Sequence, residues 1–329
     1  MRAVVCEAWG PPENLVVVER PMPVAAPGEV VVCVHAAAVN FPDVLIVANQ
    51  YQMSIPTPFT PGSEFAGVVT EVGEGATKWA VGDRVFGSSM RGAFAEYIAG
   101  PETVFRRVPD GVSMAAASGF WVAHATAYHA LRSVAEVQPG EVVAVLGAAG
   151  GVGLAAVEVA IARGATVVAC VSSADKATLC RERGAAHTVD YSSTDLRDAL
   201  KAVAPGGIDV VIDPVGGPLA ERALRAMKWG GRFVTVGFAS GEIPRIPLNL
   251  VLLKGVVIKG FEMRTFAHFM AVESQRDSQE LMALLASGGL VPHVSATFPL
   301  EQTAQALRWV ADRHAFGKVV VLTNAGAAA

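Results

Sequence analysis

Along the chain the apolar residues fall into two regimes. From residue 1 to about 118 they form short Val-rich runs: Ala3–Cys6, Leu15–Val18, Val30–Val34, Phe65–Val72, Arg84–Phe86 and Phe94–Ile98. Turn formers such as Gly10-Pro11-Pro12, Pro27-Gly28 and Val81-Gly82-Asp83 separate them. Short strands punctuated this way predict a β-rich domain, a partly closed barrel or sandwich. One helix, about Phe41 to Ala48, interrupts it. From about Gly119 the pattern changes to apolar runs alternating with helical stretches. Strands are predicted at Val142–Leu146, Thr166–Val171, His187–Asp190, Asp209–Ile212, Arg232–Val236 and Val256–Phe261. Helices are predicted up to about Arg163 and at Ala174–Arg183, Thr194–Val203 and Leu219–Met227. Six such strands with crossover helices make an α/β, doubly wound parallel sheet. Two later helices, about Ser278–Ala286 and Leu300–Asp312, precede a closing strand at Lys318–Leu322. The sheet is complete before them, so they are expected to return to the first domain. The division is therefore 1–118, 119–261 and a return over 262–329, with Asn324–Ala329 expected to fray.

Composition narrows the class. At 329 residues, 52% apolar and 17% charged, the chain is long enough for two packed domains and is not disordered. A formal net charge of −4 leaves no basic footprint for nucleic acid. Cys6, Cys33, Cys170 and Cys180 have no C-x-x-C spacing and read as reduced thiols of an intracellular protein. In the opening MRAVVCEAWGPP, Glu7 and two prolines break the apolar core that a signal peptide needs. The expectation is a soluble, cytoplasmic protein without a membrane partner.

The candidate chemistry lies in Glu141–Lys176. The strand Val142–Leu146 runs into Gly147, Gly150, Gly151 and Gly153, and a helix follows. Glycines there let a pyrophosphate approach the N–H groups at a helix start, where the helix dipole favours negative charge. Ala148 takes the first position of a G-x-G-x-x-G fingerprint; Gly150 and Gly153 hold the other two. A membrane span is the competing reading, since Val142–Val157 carries no charge. Four glycines inside the run, with Glu158 and Arg163 just beyond, argue against it. A dinucleotide site built on Ala148, Gly150, Gly151, Val152 and Gly153 is therefore expected. An NAD site places an acid at the end of the second strand. Here that strand ends in Ser172 and Ser173, with Lys176 one turn on, while Asp175 starts the next helix with Ser173. The expected cofactor is NADPH, bound by Ser172 and Lys176.

The stretches VNFPDVL (Val39–Leu45), PGSEFAGVV (Pro61–Val69), VGDRVFG (Val81–Gly87), AAGGVGLAAVEVA (Ala148–Ala160) and GKVVVL (Gly317–Leu322) resemble the medium-chain dehydrogenase/reductases. Within them the chain is similar to the zinc-free quinone oxidoreductase, or zeta-crystallin-like, branch, over nearly its whole length. The resemblance implies a Rossmann domain inserted into a discontinuous β-rich GroES-like domain. Zinc-dependent relatives have Gly-His-Glu near Pro61–Glu64 and a cysteine ligand at the position of Asn40. Ser63 and Asn40 stand there instead, so no metal is expected. A structural zinc would need four clustered cysteines, and the first domain has only Cys6 and Cys33. His124 and His129 share a predicted helix but face different ways.

The same resemblance implies an NADPH-dependent reductase delivering hydride to a quinone or similar electron-poor carbonyl compound. It places Asn40 beside the nicotinamide; Asn40 with Asp43 also reads as a helix N-cap, and both readings stand. It implies Tyr51 as a substrate-facing proton donor and Thr126 as the carboxamide contact. Tyr191 and Arg313 are implied near the 2′-phosphate, with Gly237 and Phe261 as further cofactor contacts. Val47 stands where some quinone reductases carry an arginine. The family pairs its last Rossmann strand across a two-fold axis, so a homodimer is expected. Two alternatives remain: an enoyl reductase for enones or enoyl-CoA thioesters, and an NADPH-binding protein without turnover.

Overall fold

A computed structural model describes residues 1–323, which divide into two units: Met1–Val122 with the stretch from Val291 onward, and Ala123–Leu290. The fraying expected for Asn324–Ala329 lies outside the described residues. In chain order the first unit opens with strands β1 (Arg2–Val5), β2 (Val16–Glu19) and β3 (Glu29–Val39). Helix α1 (Phe41–Val47) follows, then β4 (Glu64–Val72), β5 (Arg84–Ser88), β6 (Tyr97–Pro101), β7 (Phe105–Arg107) and α2 (Met114–Ser118). Helix α3 (Trp121–His129) starts in this unit, and from Ala123 the chain belongs to the second.

The second unit alternates strand and helix. It contains β8 (Val142–Leu146), α4 (Gly151–Ala162), β9 (Thr166–Val171), α5 (Ala174–Glu182), β10 (His187–Asp190), α6 (Leu196–Val203) and β11 (Ile208–Asp213). Then come α7 (Pro218–Ala226), β12 (Met227–Thr235), α8 (Leu248–Lys254), β13 (Val257–Gly260), α9 (Met263–Phe269) and α10 (Ala271–Ala286). The first unit resumes with β14 (Val294–Pro299), α11 (Thr303–Ala311) and β15 (Lys318–Leu322).

All pairs in the second sheet are parallel, in the order β10-β9-β8-β11-β12-β13. The chain leaves β8 in one direction and resumes at β11 in the other, so the order reverses between those two strands. This is the doubly wound arrangement that the six apolar runs predict, and its ligand crevice opens at the carboxyl ends on either side of the reversal. The inner strands are buried on both faces: every residue of β11 is buried, as are Val143–Leu146 of β8. Hence they read as unbroken apolar runs rather than alternations.

The first sheet follows the order β14-β15-β3-β4-β5-β7, with β6 also on β3. Strand β3 continues five residues past its predicted end. Ala36–Ala38 carry little β preference, but with Val39 they pair with Val319–Leu322 of β15 on one side, and β4 continues along the other. Cross-strand pairing outweighs intrinsic propensity here. The predicted strand Phe94–Ile98 lies instead at Tyr97–Pro101, and Phe94 is a core residue whose N–H bonds Pro61 O at 3.0 Å.

The placement of residues 262–290 differs from the sequence reading. Helices α9 and α10 belong to the second unit, because buried Asp277 on α10 accepts from the Ser133 hydroxyl at 2.6 Å and meets His129 Nδ1 at 3.0 Å. Helix α10 starts seven residues earlier than predicted; its N-terminus has no side-chain cap, so no capping signal marks it.

The glycine turn is fixed by packing. Gly147 has φ +59°, in the left-handed region, and a Cβ on Gly153 would stand 2.2 Å from the Gly147 carbonyl oxygen. Strand β8 and helix α4 therefore approach more closely than any side chain allows. Gly153→Ala should lower unfolding free energy by about 1–3 kcal/mol, the usual cost of overpacking, read as a lower urea midpoint. An unchanged midpoint would mean that the turn relaxes freely.

Candidate active site

The second unit supplies a nucleotide crevice. Helix α4 has Gly150 as its N-cap, without a side-chain cap bond, and no acidic residue in its first turn. The first N–H groups of any helix lack intrahelical partners, so those of Gly151, Val152 and Gly153 are open to an anion. Ala148 is fully buried, and its N–H is already bonded to Cys170 O at 3.0 Å, so its part is to shape the turn. Across the sheet reversal, fully buried Asp213 closes β11. Its Oδ1 accepts from the N–H groups of Val215 and Gly216, both at 2.8 Å. Burial raises its pKa, and the two backbone bonds oppose that shift. Gly237 follows β12 and donates to Asp213 O at 3.3 Å, on the same rim.

At the end of β9 three of the four residues expected around a 2′-phosphate, Ser172, Lys176 and Tyr191, lie close together. Ser173 is the N-cap of α5, accepting from Lys176 N–H at 3.3 Å, and Asp175 lies in the first turn. Lys176 folds back so that Nζ donates to Ser172 Oγ at 3.2 Å. Strand β10 pairs in parallel with β9 through Asp190 and Val171, and Tyr191 N–H then donates to Val171 O at 3.0 Å. Register alone thus sets Tyr191 beside Ser172. Thr126 is half-buried on α3. Phe261 is buried, its ring 5.5 Å from Phe266 and 6.1 Å from His129. His124 and His129 turn to separate partners, Glu158 at 3.2 Å and Asp277 at 3.0 Å.

In the first unit Asn40 precedes α1. Asp43 Oδ2 accepts from the Asn40 N–H at 2.8 Å, as the N-cap reading anticipates. The Asn40 carboxamide belongs to a buried polar cluster as well. Its Oδ1 accepts from Lys318 Nζ at 2.6 Å, and its Nδ2 donates to Glu64 Oε2 at 3.1 Å and more weakly to Ser63 Oγ at 3.4 Å. Lys318 also reaches Glu64 Oε2 at 3.3 Å. Glu64 Oε1 accepts from Val122 N–H at 2.7 Å. The Arg106 guanidinium lies 3.3 Å from the Trp121 ring centroid; burial pulls its pKa down to about 10, and the Glu64 charge opposes that. Half-buried Tyr51 packs against the core of this unit, whereas Val47 is part of that core. Arg313 is exposed, with φ +63°.

Asp43 is read in the sequence only as a capping partner of Asn40, and Glu64, Lys318 and Asp213 are not singled out there. Their signals are faint: a lysine opening the apolar strand KVVVL, an acid closing IDVVID, and an acid opening EFAGVV. Charges at the ends of otherwise buried strands are the clue to look for.

Two domain models match the chain: an alcohol dehydrogenase GroES-like domain over residues 26–110 and a zinc-binding dehydrogenase over 151–291. The Mus musculus quinone oxidoreductase-like protein 2 is 39% identical over 323 residues, covering 97% of this chain and 91% of its own. The Escherichia coli quinone oxidoreductase complexed with NADPH superposes with a TM-score of 0.89 at 29% identity, covering 98% of this chain and 100% of its own. A structure described as an NAD-dependent alcohol dehydrogenase gives 0.90 at 30% identity, with coverage of 98% and 99%. The fold and the nucleotide crevice thus define a medium-chain dehydrogenase/reductase. Within that class, the chain belongs to the quinone oxidoreductase branch.

Asp43 gives this cluster a pH signature. Burial raises its carboxyl to about 6; bonds from the Asn40 backbone and Ser63, and the Lys318 charge, oppose the shift, and Glu64 adds to it. A raised acid stabilises the fold below its unfolded pKa of 3.8 and loses that stabilisation as pH rises to about 6. Ionised Asp43 therefore costs about 3 kcal/mol at neutral pH. Asp43→Asn should unfold at nearly the wild-type free energy at pH 4 and gain on wild type up to pH 7, by up to that amount. A difference independent of pH would show that Asp43 titrates normally.

Proposed function

We propose that the protein is an NADPH-dependent, zinc-independent reductase of quinones or similar electron-poor carbonyl compounds, working as a cytoplasmic homodimer. The observation that carries this reading is the end of β9, where Ser172 and Lys176 are bonded together at the place an NAD site gives to an acid. The NADPH complex of the Escherichia coli relative supports it.

When bound, NADPH supplies the hydride. The open N–H groups of Gly151, Val152 and Gly153 hold the pyrophosphate. Lys176, Ser172 and Tyr191 take the 2′-phosphate, with Arg313 a further contact. Thr126, Gly237 and Phe261 line the nicotinamide end, and Thr126 orients the carboxamide. Tyr51 donates a proton to the oxygen that gains negative charge, since a phenol donates at neutral pH without ionising first. Asn40 and Ser63 are an amide and a hydroxyl bonded to each other, not the imidazole and thiolate that zinc prefers. Among the described residues no group of three or more His, Cys, Asp or Glu could hold a metal ion.

The test is NADPH oxidation against a panel of quinones, enones and enoyl-CoA thioesters. Turnover fastest with quinones supports the assignment; turnover confined to enoyl-CoA moves it to an enoyl reductase; none with any acceptor overturns it. In the same assay Lys176→Glu should weaken NADPH about ten-fold or more, since one charge-assisted bond contributes roughly 1.5–3 kcal/mol. NADH binding should change little. Equal wild-type affinity for both cofactors would reject the assignment of Ser172 and Lys176.

The dimer follows from an uncovered edge. Among the described residues strand β13 pairs only with β12 and exposes Val257 and Ile258; Leu252 of α8 is 81% exposed and Trp229 of β12 78%. Such an edge needs a partner, and a second copy can pair with it across a two-fold axis. Light scattering should give twice the chain mass for wild type and the chain mass for Ile258→Lys. A monomeric wild type would remove the dimer.

A further inference from the structure

Fully buried Glu64 has donors on both of its oxygens. Asn40 Nδ2 and Lys318 Nζ reach Oε2 at 3.1 and 3.3 Å, and the Val122 N–H reaches Oε1 at 2.7 Å. Lys318 Nζ also donates to Asn40 Oδ1 at 2.6 Å. An ammonium only donates and an ionised carboxylate only accepts. Between them the Asn40 carboxamide has one allowed orientation, oxygen to Lys318 and nitrogen to Glu64. The flipped amide would set N–H against ammonium and oxygen against carboxylate. Val122 lies in the first turn of α3, whose positive end favours the carboxylate. That helix also carries Thr126.

We propose that Glu64, neutralised by Lys318, is the positioning residue of the reduction: it locks the Asn40 carboxamide in one orientation and anchors the first turn of α3. The proposal rests on the reading that Asn40 lies beside the nicotinamide. Glu64 itself touches neither cofactor nor substrate; it acts through Asn40 and the α3 backbone. Lys318 holds the oxygen of the Asn40 amide and Glu64 holds its N–H side, and Glu64 also holds Lys318 in place.

Glu64→Gln isolates this role. Gln keeps the volume, but its NH2 must face either the Val122 N–H or the Lys318–Asn40 pair, donor against donor. In folded Glu64→Gln, kcat should fall about ten- to hundred-fold, the range expected for a misplaced contact, with NADPH affinity within about two-fold. The primary isotope effect from 4-deuterated NADPH should change with it. Lys318→Met leaves a buried carboxylate unpaired and is expected to fold poorly. The Glu64→Gln/Lys318→Met pair removes both charges; it should recover the stability but not kcat. A kcat within two-fold of wild type in stably folded Glu64→Gln overturns the proposal. So does a parallel loss of kcat and NADPH affinity. A second readout is independent of turnover: the side-chain amide signals of 15N-asparagine-labelled protein, which has five asparagines. Slow solvent exchange at Asn40 in wild type, lost in Glu64→Gln, supports the lock, and equal protection in both rejects it. If wild type reduces no acceptor, the functional reading falls and these signals alone decide.

Discussion

The first unit depends on one pairing between distant parts of the chain. Residues Ala36–Val39 of β3 are hydrogen-bonded to Val319–Leu322 of β15, after the whole second unit has intervened. The entropy of closing so long a loop grows only slowly with length, so the insertion is tolerated. The register matters more than the distance. With Val39 opposite Val319, the next residues outward are Asn40 and Lys318, and the ammonium meets the carboxamide across 278 positions. A slip of one residue would turn Lys318 to the other face of the sheet. Glu64 would then be a buried carboxylate without its cation, an arrangement far costlier than the pair.

The second unit is assembled differently. Its parallel pairs join strands one crossover apart, except where the order reverses between β8 and β11. In a doubly wound sheet such a reversal is where a ligand crevice opens at the carboxyl ends of the strands. The contact between Gly153 and the Gly147 carbonyl keeps α4 against β8, and so aims the open N–H groups at the crevice. Asp213 stands on the other rim with Oδ1 committed to backbone donors. One rim thus offers a helix's positive end and the other a carboxyl whose charge burial disfavours.

The two units were unequally legible in the sequence. In the second, the inner strands are buried and announce themselves as apolar runs, and six strands are legible there, while their order comes from the structure. Helix α8 was missed because its exposed leucines (Leu248, Leu252 and Leu253) break the amphipathic pattern. In the first unit, β7 is three residues long and β14 alternates half-buried with exposed positions, so neither gives a strong signal. The candidate nucleotide residues of β8, α4 and β9 are legible because they follow one another locally. The Glu64 cluster is not, because nothing local to Lys318 says that it will face Asn40. Only the register of β15 on β3 supplies that.

The cluster also shows how buried charges are balanced around Asn40. Two carboxyls, Asp43 and Glu64, are buried beside Asn40, and each isolated charge would be strongly disfavoured there. Lys318 answers Glu64 by direct contact, while Asp43 is answered through the Asn40 N–H and by its raised pKa. The polar groups around Asn40 are thus satisfied mainly by one another. A network satisfied in this way holds its members rigidly. Rigidity is what an amide needs if it is to act by orientation, since a carboxamide has no charge with which to compensate for a misplaced contact.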